Sequence, residues 1–274
     1  MSNIITKNNI KHYLCQCKIK RIAFMSAYCN IFSIYRYIAI LLFFAMLVMA
    51  NTAEVMAKET SYNNKKIIVL DPGHGGHDKG AQGTNGTYEK TLSLKLAHII
   101  AKELEDKYRV FLTRTDDYRL DNPGRIDAAN HLEADLFISI HSGGSFLHKA
   151  NGIYIYYYNE ISWPANILES TTLKTIKSKN IQPQWHNIQD RHKATSHVLA
   201  ESVKNRINEH IEFAKCKVQG APVLVLSGAD MPAILIETGY ISNPAEEKEL
   251  KDAKVLSNFA KGISKGIEDF FSNL

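Results

Sequence analysis

Two histidines and two glutamates are the residues of this 274-residue chain whose types and spacing suit chemistry. His74 stands in Leu70-Asp71-Pro72-Gly73-His74-Gly75-Gly76, where the apolar run from Ile67 to Leu70 stops at a glycine-rich turn. Glycine on both sides lets the backbone take positive φ and lets another group approach closely. An imidazole presented in this way can reach a metal or a substrate. The same layout opens phosphate-binding loops, but no Gly-Lys-Ser/Thr follows and the glycine spacing fits no dinucleotide fingerprint. His141 follows the run Leu136-Phe137-Ile138-Ser139-Ile140, Glu237 closes Ala233-Ile234-Leu235-Ile236, and Glu89 sits where the loop after His74 turns into a helix. Each has an ordinary explanation alone: a satisfied histidine, a strand-end charge in solvent, an acid favoured by a helix dipole. Together they are more specific. Two neutral imidazoles and one carboxylate make a catalytic zinc set with a position open for water. A further carboxylate outside that set is what hydrolysis needs as general base.

Such residues need elements that bring their loops together. Strands are predicted at Lys66–Leu70, Arg109–Thr113, Asp135–Ile140, Gly152–Tyr158, Val223–Leu226 and Ala233–Glu237. Between them Leu92, Leu96, Ile100 and Leu104 mark one helix face at a spacing of four, and Val255, Phe259, Ile263 and Ile267 mark another. The alternation predicts an α/β fold: a single layered domain with a mostly parallel central sheet of about six strands flanked by helices. Ligands of open α/β sheets bind beyond the carboxyl ends of the strands. His74, His141 and Glu237 all stand at such ends, with Glu89 near a helix start, so the four converge on one edge.

The net charge of +5 does not indicate a nucleic-acid partner. Of 33 Lys and Arg and 28 Asp and Glu, residues 1–57 hold six and one, which leaves the other 217 residues balanced at 27 of each. A basic footprint is absent from the body of the chain. The charged stretch reads as a leader: basic residues up to Arg36, an unbroken apolar run from Tyr37 to Ala50, then small residues suited to cleavage. The run is shorter than the ~20 residues that span a bilayer. Residues 1–57 are therefore expected to be a signal peptide, cut after Val55-Met56-Ala57 or Val48-Met49-Ala50, with an N-terminal anchor as the alternative and Met25 as a candidate start. Residues 58–274 form the expected domain. Three of the four cysteines lie in the leader, so Cys216 has no internal disulfide partner and is expected to act as a small buried hydrophobe.

Three ordered motifs resemble one family. Leu70-Asp71-Pro72-Gly73-His74-Gly75-Gly76, with Asp78, Gly80-Ala81 and Glu89-Lys90, looks like the N-terminal signature of the zinc-dependent N-acetylmuramoyl-L-alanine amidases. Ser139-Ile140-His141 looks like their second signature, and Asp230 to Asn243 their third. The resemblance runs from about Lys66 to Ile267. It implies Zn2+ held by His74, Glu89 and His141, Glu237 as catalytic acid/base, and peptidoglycan as substrate, cut between N-acetylmuramic acid and L-alanine during cell separation or wall turnover. Asp71 and Asp78 are candidates to fix the imidazole tautomers, with turn formation by their side chains as the equal alternative. The setting expected is exported and periplasmic, with a secreted or membrane-anchored form as the alternative. The chain is expected to work as a monomer, with no nucleic acid. A non-catalytic peptidoglycan-binding protein and a zinc carboxypeptidase stand as rival readings, and the intact set of four residues favours the amidase.

The chain departs from the family in two places. Ser142-Gly143-Gly144 stands where the second signature usually continues with Ala-Asn. An inserted segment at about 159–191, helix-compatible from Pro164 to Lys179, is read as a surface excursion, a glycan-binding surface or a lid. Some relatives carry a helix here that covers the zinc until an activator protein displaces it. Glu169 is the candidate to occlude the metal in that case, with an activator as partner. His186, His192 and His197 suit no closed zinc pattern and are read as surface residues. Tyr154, Tyr156, Tyr157 and Tyr158 are read as strand residues.

Overall fold

Ile67–Pro72 is apolar almost throughout, a pattern that belongs inside a parallel sheet covered on both faces. In the computed structural model it is such a strand, β1, lying parallel to β2 (Arg109–Leu112) on one side and β3 (Leu136–Gly143) on the other. The structure describes residues 62–159 and 186–274, together with residues 36, 40–49 and 52. Beyond β3 come β6 (Ala233–Tyr240), β4 (Ile153–Tyr158) and β5 (Cys216–Ala221), giving the order β2-β1-β3-β6-β4-β5. β3 and β6 are parallel, whereas β4 runs antiparallel to β6 and parallel to β5. The carboxyl ends of β1, β3 and β6 therefore lie side by side at one edge. This is the mostly parallel six-stranded α/β sheet that the alternation predicts.

One predicted strand is corrected. Val223–Leu226 is not a strand: Leu224–Leu226 is a single 3-10 turn, and the sixth strand is Cys216–Ala221. A four-residue apolar run carries no period that separates strand from turn. The true strand is an edge, half-exposed and ending in Gly220-Ala221, so its pattern is faint.

Helices close both faces. On one lie α1 (Glu89–Leu104), α3 (His186–His210) and α5 (Ala253–Ser272). Leu92, Leu96, Ile100 and Leu104 of α1 are buried there with Leu199, Val203 and Ile207 of α3 and Phe259, Ile263 and Ile267 of α5. On the other lie α2 (Asn122–His131) and the chain around the 3-10 turn, with Ile126, Ala129, Val225, Leu226 and Met231 against Val69, Phe137 and Leu235. Asp121 caps α2 by accepting from Gly124 N–H. A short helix, α4 (Pro244–Lys251), follows β6. Each fully buried aliphatic contributes about 1.5–3 kcal/mol, so this double core holds the fold by burial. Cys216 is free and buried, and burial pushes its thiol up to about 12.

Lys65–Leu274 form one compact unit and Met1–Asn64 another. In the latter, residues 40–49 are helical, and among the described residues no helix is long and apolar enough to cross a membrane. α3 begins at His186, so the segment read as an insertion ends inside a helix. Residues 160–185, with Glu169 and the stretch Pro164–Lys179, lie outside the described residues.

Candidate metal centre

Past β1 the chain must turn sharply to present His74, and this histidine takes φ 61°. A left-handed conformation costs a non-glycine residue on the order of 1–3 kcal/mol, so surrounding contacts must enforce it. Two buried arginines do so. Arg114, just past β2, donates from Nε to Pro72 O (2.9 Å) and from Nη2 to Gly73 O (2.8 Å). Arg125 of α2 donates from Nη1 to Pro72 O (2.8 Å) and from Nη2 to His74 O (2.9 Å). Three successive carbonyls thus face two guanidinium groups. Ser93 of α1 adds a hydroxyl donor to Gly73 O at 3.0 Å.

The turn brings His74 to the other candidates. Glu89 is the first residue of α1, where the helix dipole favours an acid. Its Oε2 lies 3.0 Å from His74 Nε2 and accepts from Ala81 N–H, and its Oε1 lies 2.9 Å from His141 Nδ1 and accepts from Ser142 N–H. One nitrogen from each ring and one carboxylate oxygen lie within 4.8 Å of one another, and among the described residues this is the only such group of three. Donors bound tetrahedrally at about 2.1 Å to one ion lie about 3.4 Å apart, so these three would draw together around a cation, and two imidazoles with a carboxylate suit a small divalent ion such as zinc.

Asp78 lies where the tautomer argument wants it, with Oδ1 2.9 Å from His74 Nδ1. An ionised carboxylate only accepts, so Nδ1 carries the proton and Nε2 is left for the metal side. The same oxygen accepts from Gly80 N–H, so Asp78 also forms the turn. Asp71 departs from its expected place beside an imidazole. Its buried carboxylate accepts from Arg125 Nη1 (2.6 Å), Thr113 Oγ1 (2.6 Å) and Ser139 Oγ (2.7 Å). The β1–β3 register sets Asp71 opposite Ser139, and a buried charge needs its counter-ion. Asp71 thus acts on the His74 turn through Arg125.

Glu237 pairs with His141 in the register of β3 and β6. Among the described residues its buried Oε2 has no hydrogen-bond partner, an uncommon state for a carboxylate and one found at reactive sites. Burial pushes its pKa up to about 7, with the Glu89 charge adding to the rise and the two imidazoles opposing it. Glu89 behaves oppositely: burial works against its charge, but hydrogen bonds from His141 and His74 hold it well below the usual carboxylate range. For His74, burial is outweighed by Glu89 and Asp78, and its pKa rises to about 8.

Two glycines make the space. A Cβ on Gly73 would lie 2.4 Å from His141 Cε1, and one on Gly80 would lie 2.5 Å from Glu89 Oε2 and 2.6 Å from His74 Cδ2. The departure Ser142-Gly143-Gly144 also has a local reason. A Cβ on Gly143 would come within 2.8 Å of the Tyr240 ring, which occupies that space. The sequence singled out neither Arg114 nor Arg125. The available signal was Arg114 directly beyond an apolar strand at the reactive edge, but a strand-end arginine ordinarily reads as solvated. His192 faces Asp230 (3.1 Å) and His197 lies near Tyr157, both within α3, so neither joins a metal group. The side chain of His186 lies outside the described residues.

Comparison with known proteins places this geometry in context. A profile described as N-acetylmuramoyl-L-alanine amidase matches residues 68–269. N-acetylmuramoyl-L-alanine amidase AmiC of Neisseria meningitidis serogroup B is 33% identical over 226 residues, covering 76% of this chain and 53% of that protein. The sporulation-specific N-acetylmuramoyl-L-alanine amidase of Bacillus subtilis is 34% identical over 212 residues, covering 75% of this chain and 68% of its own length. Among solved structures, N-acetylmuramoyl-L-alanine amidase AmiC2 of Nostoc punctiforme superposes with a TM-score of 0.61 at 28% identity, over 76% of this chain and 98% of that one. The matched region spans about half the length of the AmiC relatives.

Proposed function

This chain belongs to the N-acetylmuramoyl-L-alanine amidase family, and on that premise we propose that it is a zinc-dependent hydrolase of the amide between N-acetylmuramic acid and L-alanine in peptidoglycan. The observation that carries the reading is the trio His74, Glu89 and His141, with ligand atoms within 4.8 Å, beside a buried and unpartnered Glu237 oxygen. In this reading the trio holds the ion. When bound, zinc supplies Lewis acidity, acidifying water and polarising a carbonyl.

The remaining steps belong to the chain. Glu237 takes a proton from the attacking water as the new C–O bond forms, and delivers it to the departing alanine nitrogen as the C–N bond breaks. An apolar setting suits this double duty, because burial weakens the preference of the carboxyl for its charged form and so eases both taking up and giving back a proton. Asp78 keeps the proton of His74 on Nδ1. Arg114 and Arg125 keep the turn from relaxing out of its left-handed conformation.

The leader supports an exported, periplasmic enzyme, since its apolar run and small flanking residues fit a signal peptide and its substrate lies outside the cytoplasm. Sequencing the N-terminus of the protein recovered from a periplasmic extract tests this: an intact leader in the membrane fraction favours the anchor instead. The activity itself is tested by incubating the protein with peptidoglycan, with and without a chelator. Free N-terminal L-alanine peptides released only with metal present support the reading. Glycan fragments released in their place refute it.

A further inference from the structure

The site does not end at the two histidines. A cavity of about 420 Å³ lined by His74, His141 and Arg125 extends to Asn122 and Leu224. The same two residues line a second cavity, of about 650 Å³. The two cavities thus adjoin at Asn122 and Leu224, and together they are treated as a cleft leading from the metal centre along α2 and the 3-10 turn. Its α2 wall is Asn122, Pro123, Ile126 and Asp127, whose three- and four-residue spacings bring them side by side on the helix. Leu224 forms the opposite wall. It leaves 75% of its surface exposed while its neighbours Val225 and Leu226 are buried. A lone exposed leucine is ordinary, but one that walls a cleft opening on reactive groups is contact surface.

The charges along the cleft are uneven. At the inner end the Arg125 guanidinium is occupied by Asp71 and main-chain carbonyls. Among the described residues Asp127 is the only ionisable side chain lining the outer cavity, and its carboxylate has no hydrogen-bond or ion-pair partner among them. Apolar walls with the Asn122 amide suit an extended peptide, which offers main-chain groups to an amide and aliphatic carbon to a leucine. A sugar, ringed with hydroxyls, would leave those hydroxyls unpaired against the same walls.

We propose that this cleft holds the peptide side of the substrate and that Asp127 selects a cationic side chain on that peptide; this rests on the amidase reading above. The occupant is thus a peptide whose N-terminal amide lies at the metal and which carries an amine further along. Asp127 determines specificity and takes no part in bond breaking.

The test uses N-acetylmuramoyl-L-alanyl peptides that carry lysine or norleucine at the second, third or fourth residue. With the zinc-loaded protein, lysine at one position is preferred over norleucine by roughly two- to tenfold in kcat/KM, and the preference resides in KM. Asp127→Asn brings that ratio to about one and Asp127→Lys inverts it, while Leu224→Ser raises KM for both peptides. A lysine preference that survives in Asp127→Asn, or no preference at any position, overturns the proposal. Calorimetric binding of the same peptides to zinc-loaded Glu237→Gln separates the two levels. Asp127-dependent binding of a peptide that the wild type never cleaves would sink the amidase reading and leave the cleft standing. Cleavage without Asp127 dependence would sink the cleft alone.

Discussion

Glu237 and His141 occupy paired positions on adjacent parallel strands, one a carboxyl with an unpartnered buried oxygen, the other an imidazole in contact with Glu89. Strand pairing therefore sets the distance between Glu237 and His141, whereas His74 depends on the turn that Arg114 and Arg125 hold. Substituting Glu237 should separate chemistry from assembly. Glu237→Gln is expected to lower kcat by about 10²–10⁴-fold while keeping one bound zinc per chain. Metal analysis beside a turnover assay checks both, and loss of the zinc with the activity would show Glu237 to be a ligand.

The raised pKa of Glu237 has a defined sign. In the metal-free protein it moves from 4.5 to about 7, so its protonated form favours folding. That contribution is full below pH 4.5 and is lost as the pH rises through 7. Relative to Glu237→Gln, which lacks this titration, the metal-free wild type should lose stability between those pH values and level off above them. Urea unfolding of both proteins in chelator at a series of pH values measures it. A bound cation favours the carboxylate and should move the window to lower pH.

Arg125 grips the turn that carries His74 and pairs with Asp71. A lysine at that position keeps the charge but cannot reach the carbonyls of Pro72 and His74 and the Asp71 carboxylate together. Arg125→Lys should weaken zinc binding by about 10–100-fold, the usual cost of altering a group that orients a ligand. Competition with a chromogenic chelator reads the affinity directly. An unchanged affinity in a folded variant would mean that the left-handed His74 is held without it.

Glu247 anchors the approach to Glu89 from α4. Its carboxylate accepts from Thr84 Oγ1 (3.0 Å), Asn85 N–H (2.9 Å) and Asn85 Nδ2 (2.9 Å). Burial opposes its charge, but those donors outweigh it and hold the pKa at about 2 against an ordinary 4.5. The stability it lends is therefore complete above pH 4.5 and disappears as the pH falls through 2. Glu247→Gln is expected to cost about 2 kcal/mol at neutral pH. Thermal unfolding of the two proteins should converge as the solution is acidified toward that lower value.

The convergence of His74, Glu89, His141 and Glu237 was legible in the sequence because each stands at a discontinuity, where an apolar strand stops or a helix starts, and strand ends of a parallel sheet share an edge. The spacing of Leu92, Leu96, Ile100 and Leu104 was equally clear, since one face of α1 is buried along its length. Leu224 was misread because its run is too short to carry a period, and its exposure is apparent only once α2 faces it across a cleft. Arg114 was invisible for another reason: burial of an arginine depends on carbonyls contributed by Pro72 and Gly73, far away in sequence. Asp71 was misplaced in the same way, its partner lying 54 residues further along.

Glu89 spans both imidazoles with a separate oxygen for each, and it opens α1, whose buried face is part of the core. One side chain therefore couples the spacing of two rings to the seating of a whole helix, and a shift of α1 against the sheet would disturb both contacts at once.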